Sequence, residues 1–85
     1  MKRGRNEFKL PALAAFENRG WMSPPAWAVL TGFYPVRAAY SYLKGSLWQW
    51  RLLDRKLDAR GLILYKLSIK GHDRLDWLRA RKAAK

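Results

Sequence analysis

Residues 23–44, SPPAWAVLTGFYPVRAAYSYLK, leave the backbone few choices. Ser23 is a residue type that caps a helix, its side-chain oxygen accepting from an otherwise orphan amide. Pro24 suits the first helical position, where no amide donor is needed. Ala26, Val29, Leu30 and Phe33 recur at i, i+3, i+4 and i+7, which predicts one buried stripe. Gly32 can close that helix in a left-handed turn. Pro35 then opens a second helix with Val36, Tyr40 and Leu43 on its inner face, and Gly45 is placed to stop it. The stretch therefore predicts two short helices separated by a tight, glycine-containing break, the spacing of a helix-turn-helix unit.

The outer face of the second helix carries the chemistry. At 100° per residue, Arg37, Ser41 and Lys44 fall in one narrow sector away from Val36 and Leu43. Two cations and a hydroxyl on one stripe suit phosphate oxygens and guanine edges. No Asp or Glu lies between Glu17 and Asp54, so nothing acidic in the unit repels a polyanion. The plainer reading of the same stripe is a solvated face on a helical hairpin.

Charge shifts the balance toward the polyanion. Eighteen Lys and Arg stand against six acids, a net +12 on 85 residues. So one-sided a charge favours nucleic acid or an anionic membrane as partner. Twelve aromatic residues among 49% apolar composition mark a folded chain, not a basic tail. The absence of cysteine excludes disulfide staples and thiolate metal sites. No apolar run approaches the ~20 residues of a membrane span, and the basic start MKRGRNEFKLPALAAFE is too interrupted for a signal peptide. The expected compartment is the cytoplasm, with nucleoid association if the source is bacterial.

Along the chain, residues 1–7 read as a basic arm whose Lys2, Arg3 and Arg5 would follow a phosphate backbone or enter a minor groove. The alternative is a frayed terminus. Residues 8–82 read as one domain and 83–85 as a tail. The first helix is expected from Phe8 to Arg19, with Leu10, Leu13, Ala14 and Phe16 inward, Pro11 in its first turn and Gly20 ending it. Trp21 and Met22 suggest a short edge strand. After the two central helices the period changes. Trp48, Trp50 and Leu52 alternate with Gln49, Arg51 and Leu53, predicting a strand over 47–56. A second strand is predicted over 62–68, with Ile63, Tyr65 and Leu67 on one face and Leu64 and Lys66 on the other. Residues 57–61 supply the hairpin tip, and Arg55, Lys56 and Arg60 lie near it. Ser68 is placed to cap a last helix from Ile69 to about Lys82, with Leu75 and Leu78 inward. Its early Asp73 and Asp76 and late Arg79, Arg81 and Lys82 complement the helix dipole.

The strongest local pattern is YKLSIKGHDRL, residues 65–75. It resembles the segment leaving the wing in bacterial regulators of the MarR and PadR kind, where Leu-Thr-Pro-Lys-Gly runs from a strand into a helix. Ser68 stands for the threonine and Ile69 for the proline. With the order of elements, residues 10–80 resemble a winged helix-turn-helix. That implies a mostly α, α+β fold of three core helices, a two-stranded wing and a C-terminal helix. It also implies that Arg37, Ser41 and Lys44 enter the major groove of duplex DNA while Arg55, Lys56 and Arg60 reach phosphates or the minor groove.

Catalytic chemistry finds no footing. His72 is the only histidine, Asp73 and Asp76 sit among arginines as surface ion-pair partners, and Asp54 and Asp58 suit turn or strand-edge roles. There is no phosphate loop, dinucleotide fingerprint or nucleophile elbow. The expectation is a non-enzyme with no cofactor and no metal. Five tryptophans are many for one small core. Trp48 and Trp50 are expected to pack inward. Trp77, with Leu53, Leu62 and Leu64, would form an outer apolar patch for self-association as a homodimer. A base-stacking surface for single strands is the other use of exposed indoles. Two functions follow: a duplex-DNA-binding winged-helix regulator, or a winged-helix module for protein or RNA contacts in a nucleoprotein assembly.

Overall fold

A computed structural model describes residues 5–84, with side chains over 8–82. Lys2 and Arg3, read as part of a basic arm, lie outside the described residues. The first helix, α1, already begins at Arg5 and runs Arg5–Ala14, so Arg5 belongs to a helix, although its side chain is not described. Within it Phe8 packs edge-on against Trp27 and Tyr42 and beside Phe33. Pro11 sits inside α1, not in its first turn, with its ring exposed. The helix also stops earlier than its apolar pattern suggests. After an i→i−4 bond from Ala15 to Pro11, the path tightens to i→i−3 bonds at Phe16, Glu17 and Arg19, and the chain turns through left-handed Asn18 and Gly20.

Helix α2 is Pro24–Thr31. Its ends are those the sequence specifies. Ser23 Oγ accepts from the Ala26 amide at 3.3 Å, and Gly32 closes the helix at φ 72°. Its inward face is a different one. Pro24, Trp27 and Ala28 are buried, whereas Ala26, Val29 and Leu30 face outward and Phe33 is half-buried. Trp27 decides the rotation. It is fully enclosed, its indole N–H donates to the Ala12 carbonyl at 3.1 Å, and it stacks on Tyr42 at 5.8 Å and Phe16 at 6.5 Å. An indole buries far more apolar area than a valine, so the helix turns its largest ring inward and leaves Val29 68% exposed.

Helix α3 is Val36–Tyr42, with Pro35 at its N-cap. The inner positions are Ala39, Leu43 and half-buried Val36 and Tyr42; Tyr40, expected inside, is 44% exposed. Gly45 does not end the helical path. The backbone widens into a π turn over Leu43–Leu47 and tightens into a 3-10 turn over Trp48–Trp50. Continuing through Gly45 buries Leu43 and Leu47 completely, one turn apart. Arg51, at φ 65°, takes the left-handed stop instead. Trp48 and Trp50 are therefore helical, not alternating strand residues, and Trp50 is 65% exposed.

The hairpin pairs β1, Leu53–Leu57, with β2, Ile63–Leu67, in antiparallel register. Asp58 shapes the tip, its carboxylate accepting from the amides of Arg60 at 2.8 Å and Leu62 at 2.9 Å. Met22 adds a single bridge on the free edge of β2, exchanging both backbone bonds with Tyr65. Helix α4, Ile69–Ala84, buries Leu75 and Leu78 as its spacing predicts. Four helices and a two-stranded sheet make a mostly α, α+β architecture among the described residues.

The junction between hairpin and α4 is tied by one side chain. Ser68 Oγ accepts from the Gly71 amide at 2.9 Å and donates to the Arg51 carbonyl at 2.7 Å, while the Ser68 amide donates to the Leu52 carbonyl at 3.1 Å. Gly71 lies against that same Leu52 carbonyl, with no room for a β-carbon. Ser68 and Gly71 of the YKLSIKGHDRL pattern thus fasten α4 to the end of the 3-10 turn.

Candidate nucleic-acid interface

Arg37, Ser41 and Lys44 all stand on the exposed side of the α3 run. Arg37 is in the first turn of α3, Ser41 one turn on, and Lys44 in the π turn that continues it. Tyr40, three residues from Arg37, shares that side and adds a phenol hydroxyl. Its apolar ring drew it into the expected core; the i+3 spacing from Arg37 was the signal for its true place. The face thus offers a guanidinium, an ammonium and two hydroxyls, all groups that bond phosphate oxygens.

The three hairpin cations do not act together. Direct cross-strand partners share a face, so Arg55, opposite buried Tyr65, lies on the inner face of the sheet, and Lys56, opposite Leu64, on the outer. The Arg55 guanidinium sits 3.6 Å over the Trp48 ring. That contact places Arg55 at the end of the helical run carrying Lys44, not at the hairpin tip. A groove lined by Trp48, Gln49, Arg51, Leu53, Asp54 and Arg55 separates the run from β1. Arg60 is exposed at the tip.

Lys56 belongs to a second group. Its Nζ is 4.5 Å from the Trp21 ring centroid, and Lys66 Nζ is 5.5 Å from the same ring. The Met22–Tyr65 bridge brings Trp21 to this outer face. Lys66 was read only as an outward strand position, and nothing local in the sequence pairs it with Trp21.

One ion pair joins α4 to the turn after α1. Arg79 donates twice to Glu17, at 2.7 and 2.9 Å. This hydrogen-bonded guanidinium, with a smaller effect from the His72 charge, holds the Glu17 carboxyl below the usual carboxylate range, and the same bond raises the Arg79 pKa. The pair is structural and lies outside the cationic groups above. Among the described residues no three His, Cys, Asp or Glu side chains gather as metal ligands. No helix among the described residues is long and apolar enough to cross a membrane.

The outer apolar patch expected around Trp77 takes another form. Leu53 is buried and Leu64 half-buried, leaving Leu62 exposed on the hairpin. Trp77 is flanked by the guanidinium groups of Arg74 at 5.4 Å and Arg81 at 4.8 Å.

Comparison with protein-family models, with curated proteins and with solved structures returned no match to this chain. The reading of function consequently rests on the residues and their geometry.

Proposed function

We propose that this chain is a duplex-DNA-binding winged-helix protein, a small transcriptional regulator in which α3 enters the major groove. The observation that carries the reading is the single exposed face bearing Arg37, Tyr40, Ser41 and Lys44, within a stretch free of acids from residue 18 to 53. Base edges are reached by the first turn of a recognition helix, and Arg37 is the cation there. Its planar fork matches guanine O6 and N7. Tyr40, Ser41 and Lys44 then take phosphates and fix register. Lys56, Lys66 and Arg60 follow the backbone beside the groove, and Arg55 closes the end of the helical run. Action in the cytoplasm, on the nucleoid if the source is bacterial, is part of the same proposal, as is the absence of an enzymatic step.

The test is an anisotropy titration of labelled duplex at several salt concentrations, with Arg37→Ala and Lys44→Ala beside the wild type. Steep salt dependence with loss of discrimination in Arg37→Ala supports the reading. No binding of any duplex at low salt removes it.

One observation favours the second reading, a module for protein contacts in a nucleoprotein assembly. Val29 and Leu30 on α2 and Tyr34 in the turn before α3 expose apolar surface. Chemical-shift changes confined to these residues on adding a protein partner, with α3 silent toward DNA, would favour it.

A further inference from the structure

The α3 face uses neither of the two most exposed tryptophans. Trp50 is 65% and Trp77 49% exposed. They are linked by the outer stripe of α4, where Lys70, Arg74, Trp77 and Arg81 fall at i, i+4, i+7 and i+11. Two shallow depressions share Lys70 and Arg74 as a common wall. One is closed by Lys9, Trp50 and Leu52, the other by Asp73 and Trp77. The surface is thus a cationic ridge with an indole on either side, and from Lys70 to Arg81 it covers about 16 Å of helix at 1.5 Å per residue.

We propose that this ridge is a second nucleic-acid surface, one that takes an unpaired polynucleotide strand. Lys70, Arg74 and Arg81 meet phosphates, and Trp50 and Trp77 stack bases. The chemistry favours a single strand over a duplex. In a duplex the base faces are already stacked on each other, so an exposed indole finds no partner; in an unpaired strand each base offers one. Arg74 and Arg81 lie over the Trp77 ring in the free protein, at 5.4 and 4.8 Å, and a base that stacks there displaces a guanidinium from the ring toward the adjoining phosphate. Asp73 is the one acid in the depressions and sits on the Trp77 side. A lipid surface fits less well, because an interfacial helix needs a broad apolar face. The leucines Leu75 and Leu78 of α4 are buried in the core, which leaves only Ile69 at the helix start, Trp77 and the neighbouring Trp50 exposed here, too few apolar side chains for a continuous apolar face.

The test uses the full chain and labelled oligo(dT) and oligo(U), with anionic phosphatidylglycerol vesicles as a separate arm. Each stacked base is worth about fivefold or more in affinity by alanine substitution. Trp50→Ala/Trp77→Ala should therefore weaken oligonucleotide binding about 25-fold or more, and Trp50→Phe/Trp77→Phe should recover most of it. Trp50 is mostly and Trp77 about half exposed, and neither belongs to the buried core, so the fold survives, which circular dichroism verifies. Arg37→Ala/Lys44→Ala should leave oligonucleotide affinity within about threefold while lowering duplex affinity further, so this surface and the α3 face stand or fall separately. The proposal is overturned if oligonucleotides do not bind at low salt, if binding ignores the tryptophan substitutions, if the α3 variant abolishes it equally, or if only the vesicles shift the tryptophan emission.

Discussion

Replacing Ser68 with alanine removes two hydrogen bonds from one buried junction. The Gly71 amide loses its cap acceptor at 2.9 Å, and the Arg51 carbonyl loses its donor at 2.7 Å. Loss of a helix cap costs about 0.5–2 kcal/mol. The second bond adds about 0.5–1.5 kcal/mol, because a part-buried carbonyl then lacks its protein partner. Together the change should be about 2 kcal/mol. Against a total stability of about 4–13 kcal/mol for a chain of this length, that is a large share. At about 4–8 °C per kcal/mol for a domain this small, Tm falls by roughly 8–16 °C. Urea unfolding followed by far-ultraviolet circular dichroism and by tryptophan fluorescence measures it, with an unchanged m-value as the sign that only stability moved. Ser68→Thr keeps the hydroxyl and should recover more than half of the loss. A Ser68→Ala protein within about 0.5 kcal/mol of wild type, the usual range for surface substitutions, would refute the reasoning.

Gly71→Ala should cost about 1–3 kcal/mol as overpacking, since its new methyl meets the Leu52 carbonyl and one backbone segment must move; thermal unfolding reads the loss. The Glu17–Arg79 pair makes stability pH-dependent in a defined direction. Because the folded Glu17 pKa is lowered, the contribution is fully present above the ordinary carboxylate value of about 4.3. It is lost as pH falls through the folded value. Wild type minus Glu17→Gln stability, measured from pH 7 to pH 3, should shrink over that acid window; a flat difference would contradict the pairing. Lys56→Ala should weaken all duplex sequences alike and reduce the slope of log K against log salt by about 0.9, whereas a sequence-dependent loss would place Lys56 on base edges.

The local signals in the sequence were those with a backbone cause. Ser23, Pro24 and Gly32 bound α2 as expected, Ser68 caps α4, and the period-2 faces of β2 hold. What escaped was set by competition in three dimensions. Val29 and Leu30 match a helical stripe, yet Trp27 outbids them for the core because its ring meets Phe16, Phe33 and Tyr42. Gly45 reads as a stop, but the helix continues because Leu43 and Leu47 both reach the core that way. The same continuation turns Trp48 and Trp50 from strand into helix and leaves Trp50 outside. Of the site, the exposed trio Arg37, Ser41 and Lys44 was legible from 3.6-residue spacing alone. The separation of Arg55 from Lys56 depends on register, and the Trp21 cluster on a bridge 43 residues away in sequence, between Met22 and Tyr65.

The most direct measurement of the central claim is a salt-resolved titration of a selected duplex and a random duplex with wild type, Arg37→Ala and Lys44→Ala. With Arg37 reading a base, its loss should cost about 1–3 kcal/mol on the selected duplex and much less on the random one, while Lys44→Ala lowers both together and flattens the salt dependence. Equal losses on both duplexes for Arg37→Ala, or wild-type protein that ignores duplex DNA at low salt, would contradict a DNA-reading face on α3.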